Sequence, residues 1–351
     1  MCGGRIRPLR TPPPCACSSG AVAEAGRVVA LEANYCRVDL DHPGPGGHQR
    51  LLCTRRTRLA KGGSSIAVGD QVDVEDIDWV ERRGVIASRG PRRNLLPRPP
   101  VANVSRVVVV VSLKEPQPDP LQITRFLVNA EHLDLPVELV LSKAEGLPEA
   151  WVQAWCERLE TWGYHPLPMS TRDGRGLPSL ARRLSEPGIT VLCGPSGVGK
   201  SSLLNALVPG LALRVAPVSG RLRRGRHTTR HVGLVALPGA PGALVADTPG
   251  FNRPALPKTP AELARCFPDL RQFTREPCRF PDCRHDGDVG CVVPASWPRL
   301  ELYQQCLGEV EARLAEERGM GRPRETVLRE ASRRRRQRHR QGEFSPPDLE
   351  D

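Results

Sequence analysis

Gly194-Pro195-Ser196-Gly197-Val198-Gly199-Lys200-Ser201 fits GxxxxGKS and commits the chain to one local architecture. The N–H groups of a glycine-rich turn converge on phosphates where a buried strand ends and a helix begins, because the helix then adds its positive end. Both neighbours are present: Ile189-Thr190-Val191-Leu192-Cys193 is an apolar run, and Ser201 to Leu207 is helix-prone. Gly194, Gly197 and Gly199 leave the backbone unobstructed, Lys200 is placed to neutralise the β and γ phosphates, and Ser201 to give its hydroxyl to Mg2+.

A second landmark lies downstream. Asp247-Thr248-Pro249-Gly250 follows the apolar run Ala243-Leu244-Val245-Ala246, as the magnesium-side DxxG loop of a GTPase would. There Asp247 would hold Mg2+ through water, and the Gly250 N–H would meet the γ phosphate and move when that phosphate leaves. Between the two motifs, Gly225-Arg226-His227-Thr228-Thr229-Arg230 occupies the first switch position; Thr229, with Thr228 as the alternative, could complete the magnesium shell. The residue after DxxG, often a water-orienting Gln, is Phe251, which cannot polarise water; His227 is the nearest candidate, though a surface histidine would look the same. The segment with the chemistry to read guanine, Ser142-Lys143-Ala144-Glu145, precedes the cradle instead of following it. Its Glu145 keeps a carboxylate on one extra methylene, whereas Ser142 lacks the usual amide. Ser170-Thr171 fits the loop that closes over the base. With all three motifs in this order, the GTPase domain is circularly permuted.

The chain has 351 residues, enough for two or three cores. A net charge of +12 points to an anionic partner, although only five of the 51 cations are Lys, so part of the Arg excess could be codon bias. No stretch approaches the ~20 apolar residues of a membrane span. The basic, Pro- and Cys-rich start, residues 1–24, has no apolar core like that of a secretory signal and is expected to be a disordered extension or a misassigned start, on a soluble cytoplasmic protein.

From Gly26 to about Val104, short β-rich segments alternate with Gly, Pro and Asp clusters, which predicts a small barrel; five strands at this spacing suit an OB-fold, and an SH3-like barrel would read alike. Beyond Pro100 the pattern changes. Val107-Val108-Val109-Val110-Val111 is apolar throughout, as a strand buried on both faces would be, and strands then alternate with helices in the manner of a doubly wound α/β sheet. The expected division is an OB-fold domain over 25–100, the permuted GTPase domain over 101–255, a helical zinc-binding domain over 256–330 and a tail over 331–351 with the run Arg333-Arg334-Arg335-Arg336, read as a solvated helix end or an RNA-contacting arm.

Of twelve cysteines, Cys36, Cys53, Cys156, Cys193, Cys266 and Cys306 stand singly and read as small buried hydrophobes. Cys278, Cys283, His285 and Cys291 form one tight cluster, a Cys3His set of the kind that closes around a structural zinc. So short and polar a segment cannot bury enough apolar surface to hold itself, and a metal would replace its core.

These residues together resemble the RsgA/YjeQ family of circularly permuted GTPases, from about Gly26 to the C-terminal helices. The likeness is carried by the motif order, GPSGVGKSS at Gly194 to Ser202, GRHTTR at Gly225 to Arg230, DTPGF at Asp247 to Phe251, CxxxxCxHxxxxxC at Cys278 to Cys291, and Pro100-Val101-Ala102-Asn103-Val104 at the junction of barrel and GTPase domain. The resemblance implies GTP hydrolysis stimulated by the 30S ribosomal subunit in its late maturation, with binding to 16S rRNA near the decoding region. It makes His227 the water-positioning residue and implies GTP/GDP, Mg2+ and one structural Zn2+ as cofactors. The chain is expected to act as a monomer away from membranes. Two other readings remain: an RNA-binding nucleotide module with little turnover, and a metabolic P-loop kinase.

Overall fold

The computed structural model describes residues 23–32, 34–56, 65–97, 100–213, 232–247, 254–287 and 289–318. The chain forms two compact units, one within the segments up to Pro91, the other from Arg92 onward together with Val29–Leu31 and Ala67–Asp70.

The first unit is a small closed barrel. Its strands are β1 (Glu24–Leu31), β2 (Cys36–Leu40), β3 (Arg50–Arg55), β4 (Gln71–Asp78) and β5 (Arg83–Arg89), in the order β1-β2-β3-β5-β4, closed by antiparallel pairing of β4 with β1 from Glu24↔Val74 to Arg27↔Gln71. With β3 and β5 parallel, this is the order of an OB-fold. The period-2 patterns of the sequence account for it: Cys36, Val38 and Leu40 point inward from β2, Leu51 and Cys53 from β3, Val72 and Val74 from β4.

The second unit begins with the short antiparallel pair β6 (Leu95–Pro97) and β7 (Pro100–Ala102). There the fully buried Asp70 accepts both N–H groups of the Arg92 fork, at 2.7 and 2.8 Å. Next come β8 (Val104–Ser112), α1 (Pro120–Glu131), β9 (Val137–Ser142), α2 (Glu149–Glu160), β10 (Leu167–Pro168), α3 (Leu177–Leu184), β11 (Gly188–Cys193), α4 (Lys200–Leu207), β12 (Gly233–Ala236) and β13 (Ala243–Asp247). The sheet order is β10-β9-β8-β11-β13-β12, parallel except for β12. The valine run of β8 divides between two cores: Val107, Val109 and Val111 pack on the face covered by α1 and α2, Val108 and Val110 on the face covered by α3 and α4. A strand buried on both faces has no polar positions to alternate with. The strand β12 is not expected from the periodicity, because four residues are too few to show it.

After β13 the unit continues with α5 (Pro260–Arg265), entered through a Thr259/Glu262 capping box, α6 (Pro268–Phe273), the Cys/His segment and α7 (300–318). Their core of Leu263, Phe267, Trp297, Tyr303, Cys306 and Val310 also takes in Val128 from α1, so this region packs on the GTPase sheet's own helix. Among the described residues no helix is long and apolar enough to cross a membrane.

One buried cation fastens this region. Arg299 is fully buried, its guanidinium 4.4 Å from the ring centre of Trp162 and 4.3 Å from that of Phe267, and it donates to Asp269 Oδ1 at 3.0 Å. Burial lowers its pKa, and Asp269 is the main opposing influence. The other Asp269 oxygen accepts from Trp297 Nε1 at 2.7 Å. Removing one member of such a pair leaves a buried charge unmatched, so Asp269→Ala should cost about 3–5 kcal/mol in urea unfolding, and Asp269→Asn, which keeps an acceptor for Trp297, should cost less.

Candidate functional site

The glycine-rich loop from Gly194 to Gly199, expected to cradle phosphates, lies between the central strand β11 and α4. Gly194 has φ +142°, and a Cβ there would lie 2.3 Å from the Val110 carbonyl oxygen of the neighbouring strand, so the loop can leave the sheet here only without a side chain. Gly199, at φ +99°, caps α4 with no side-chain hydrogen bond, which leaves the first-turn N–H groups to an anion. Lys200 is buried, and its Nζ donates to the Gly194 and Pro195 carbonyls at 2.8 Å each, holding the ammonium across the loop. Ser201 and Ser202, half-buried, open the helix, while Ser196 is exposed at the loop's tip.

The upstream segment docks on this loop. Ser142, at the end of β9, is buried, and its hydroxyl is 2.6 Å from the Val198 carbonyl oxygen and 3.1 Å from that of Val111 on β8. Lys143, with φ +59°, turns its Nζ onto the Gly197 carbonyl at 2.7 Å and onto that of Glu115. Burial lowers the Lys143 pKa, opposed by the carboxylates of Glu115 and Glu145. Ala144 N–H donates to the Met169 carbonyl at 3.1 Å, which joins this loop to the one after β10, where the fully buried Ser170 Oγ accepts from the N–H of Arg172 at 3.1 Å. Glu145 stands between two cations that sequence reasoning did not single out, Lys114 and Arg172, each 3.7 Å from its Oε1. Their only signal was position, one just past the valine strand and one just past Ser170-Thr171.

Asp247 ends β13, opposite Gly233. Its side chain, together with His227, Thr228, Thr229, Gly250 and Phe251, lies outside the described residues.

The second cluster is assembled. The Sγ atoms of Cys278, Cys283 and Cys291 lie 3.5, 3.8 and 3.6 Å from His285 Nδ1, and the four ligand atoms are all within 4.8 Å of one another. Zinc with bonds of about 2.3 Å to sulfur and 2.0–2.1 Å to nitrogen in a tetrahedron requires ligand separations near these, so the donor set fits. Two backbone N–H groups, from Val292 to Cys278 Sγ at 3.5 Å and from Val293 to Cys291 Sγ at 3.4 Å, support the sulfurs from outside.

The family model described as RsgA GTPase matches residues 89–257. A small ribosomal subunit biogenesis GTPase RsgA of Parasynechococcus marenigrum is 53% identical over 285 residues, covering 81% of this chain and 95% of that protein. The chain belongs to the RsgA family of GTPases. Its relative from Thermosynechococcus vestitus is 46% identical, with 82% of this chain and 81% of that one covered. Among solved structures, YjeQ from Thermotoga maritima superimposes with a TM-score of 0.68 at 31% identity, over 82% of this chain and 99% of that chain. YloQ, titled a circularly permuted GTPase, does so at 0.63 and 28%, over 83% and 96%. This RsgA-family chain thus has the permuted GTPase fold, uses guanine nucleotide with Mg2+ and hydrolyses GTP, and its C-terminal region carries a Cys/His cluster that could hold zinc.

Gly194→Ala must push the cradle off Val110, so GDP binding by titration should be lost at protein concentrations where the wild type saturates. Ser142→Ala leaves the Val198 carbonyl without its buried donor and should lower stability by about 1–3 kcal/mol in the nucleotide-free protein.

Proposed function

We propose that this chain serves small ribosomal subunit biogenesis as a monomeric cytoplasmic GTPase that binds the 30S subunit and its 16S rRNA and hydrolyses GTP faster when bound there. The observation that supports the reading is the docking of Ser142 and Lys143 on the Val198 and Gly197 carbonyls, which brings the loop read as base-recognising against the loop read as a phosphate cradle despite the inverted motif order. The relatives' name supplies the subunit, and the +12 charge is suited to an RNA partner.

In this reading Lys200 and the N–H groups of Gly194 to Gly199 hold the β and γ phosphates, Ser201, Ser202 and the loop around Ser170 complete the pocket, and Glu145 accepts from the guanine N1 and N2 hydrogens. Ser201, Thr229 and Asp247 would hold Mg2+. When bound, Mg2+ neutralises charge that builds on the phosphates. Gly250 senses the γ phosphate, and His227, with Phe251 unable to help, orients the attacking water. Cys278, Cys283, His285 and Cys291 close around one structural Zn2+ with no open position, and the region from 256 to 330 depends on it in place of a larger core.

Phosphate release measured for GTP and ATP, with and without purified 30S subunits, tests this. GTP alone should be turned over, and the subunit should accelerate it. A P-loop kinase would need an acceptor and ignore the subunit, and a binding module would be indifferent to Lys200→Ala. His227→Ala should lower the stimulated rate by about 10²–10⁴ with GDP affinity unchanged. Chelation under denaturing conditions should release one zinc per chain, and Cys283→Ser should abolish that release and lower the melting temperature.

A further inference from the structure

The guanine-reading loop carries Glu where one methylene less would suffice, and a longer side chain has more rotamers to lose before both its oxygens can face a purine edge. The structure has a device that meets this cost. Glu145 lies in the loop after β9, Lys114 in the turn after β8 and Arg172 in the loop after β10, so the carboxyl ends of three adjacent parallel strands each send one charged residue to the same point. Ligands of open α/β sheets sit outside that edge. The Glu145 side chain is only 17% exposed, whereas Lys114 is 34% and Arg172 81% exposed, so the carboxylate sits inward while the guanidinium beside it faces outward. Both cations address the same oxygen, Oε1, at 3.7 Å. At that distance neither contact is a hydrogen bond, so the pair restrains the carboxylate without using up its lone pairs.

We propose that Lys114 and Arg172 are specificity-determining positioning residues, which hold the Glu145 carboxylate against the N1–H and 2-amino edge of guanine. The proposal rests on the reading of Glu145 as the base-reading residue. Lys143, tied to the Gly197 carbonyl at 2.7 Å, fixes the other side of the same loop to the cradle, so Glu145 is steadied by charge on one flank and by the phosphate loop on the other.

Titration of ribose-labelled GDP and IDP, the latter without the 2-amino group, into the full chain and its variants tests this. Inorganic tripolyphosphate, competing at the cradle alone, serves as the reference. Arg172→Gln and Lys114→Gln should each weaken GDP about three- to tenfold, weaken IDP less, and leave tripolyphosphate unchanged, so the GDP-over-IDP preference shrinks. In a Glu145→Gln background neither change should alter that preference further, and with Glu145 intact Arg172→Lys should keep part of the preference that Arg172→Gln loses. Equal losses for GDP and IDP, or an unchanged preference in both single variants with tripolyphosphate binding intact, would overturn the proposal. Glu145→Gln separates the two readings. If it leaves the GDP-over-IDP preference as in the wild type, the base-reading assignment falls and takes this one with it. If it lowers the preference while the Lys114 and Arg172 variants do not, only the positioning role falls.

Discussion

Two neighbouring side chains of one loop, Ser142 and Lys143, meet two neighbouring carbonyls of the glycine-rich loop before Lys200, those of Val198 and Gly197, and the relative placement of the two loops depends on that meeting. A base and a triphosphate are joined covalently through one ribose, so loops that were to read both must be held within that span of each other. Here the offset is set by the sheet and not by the order of the chain. Strand β8 lies between β9 and β11 with all three parallel, in continuous register from Val107↔Val137 to Ser112↔Ser142 on one side and from Thr190↔Arg106 to Cys193↔Val109 on the other. Ser142 spans that arrangement, with its hydroxyl within reach of Val111 on β8 as well as of the cradle. Placing β8 and β9 ahead of the glycine-rich loop in the sequence leaves each of these contacts in place, which is why a permuted chain can keep the arrangement.

What permutation changes is the destination of the strand that leads to DxxG. After β13 the chain runs into the C-terminal helices, and its path is gripped early. Asn129 of α1 donates to the Ala255 carbonyl at 3.2 Å, Arg313 of α7 donates to the carbonyls of Leu256, at 3.2 Å, and Pro257, and Arg125 of α1 pairs with Glu309 of α7. A displacement passed along the chain from the DxxG position would meet a segment held at 255–257 by one helix of the sheet and one of the C-terminal region. It must break those bonds or carry α7 with it. The buried Arg299, between Trp162 and Phe267, resists a second way of relieving the same motion, because parting the two regions there would take the guanidinium off the Trp162 ring while it stays paired with Asp269.

The chain's local signals are strong where one element decides the outcome. The apolar run of β8, the glycine turn before Lys200 and the spacing of Cys278, Cys283, His285 and Cys291 each state a physical requirement within a few residues, and the fold meets all three. Legibility fails where an outcome depends on partners distant in sequence. Ser142 reads as a lost amide because the Val198 carbonyl it serves is 56 positions away. Arg299 reads as one arginine in a basic chain, since nothing near it announces Trp162 or Phe267. Lys114 and Arg172 acquire meaning only when three strand ends are laid side by side. The short β12 and the β6–β7 pair, bounded by prolines, are strands by virtue of their neighbours and not of their own composition.

The cysteines illustrate how one residue type takes two roles through geometry alone. Cys36, Cys53, Cys156, Cys193, Cys266 and Cys306 are all buried, and burial pushes the thiols of Cys53, Cys193 and Cys266 up to about 12, for Cys193 in spite of nearby Lys200. Cys36 and Cys53 are cross-strand partners on β2 and β3, and Cys36 adds to the rise at Cys53, but all six serve as buried fillers of the core. Cys283 is also raised to about 12, by burial first and then by Cys291 and Cys278, with the His285 N–H pulling the other way. The difference lies in what a cation could do. In the core a divalent ion would find one sulfur, or at Cys36 and Cys53 two, in an apolar setting and could not repay its lost hydration. In the cluster the crowding of sulfurs that opposes ionisation is the same feature that would supply a tetrahedral shell, and the charge of the ion would offset the repulsion among three thiolates.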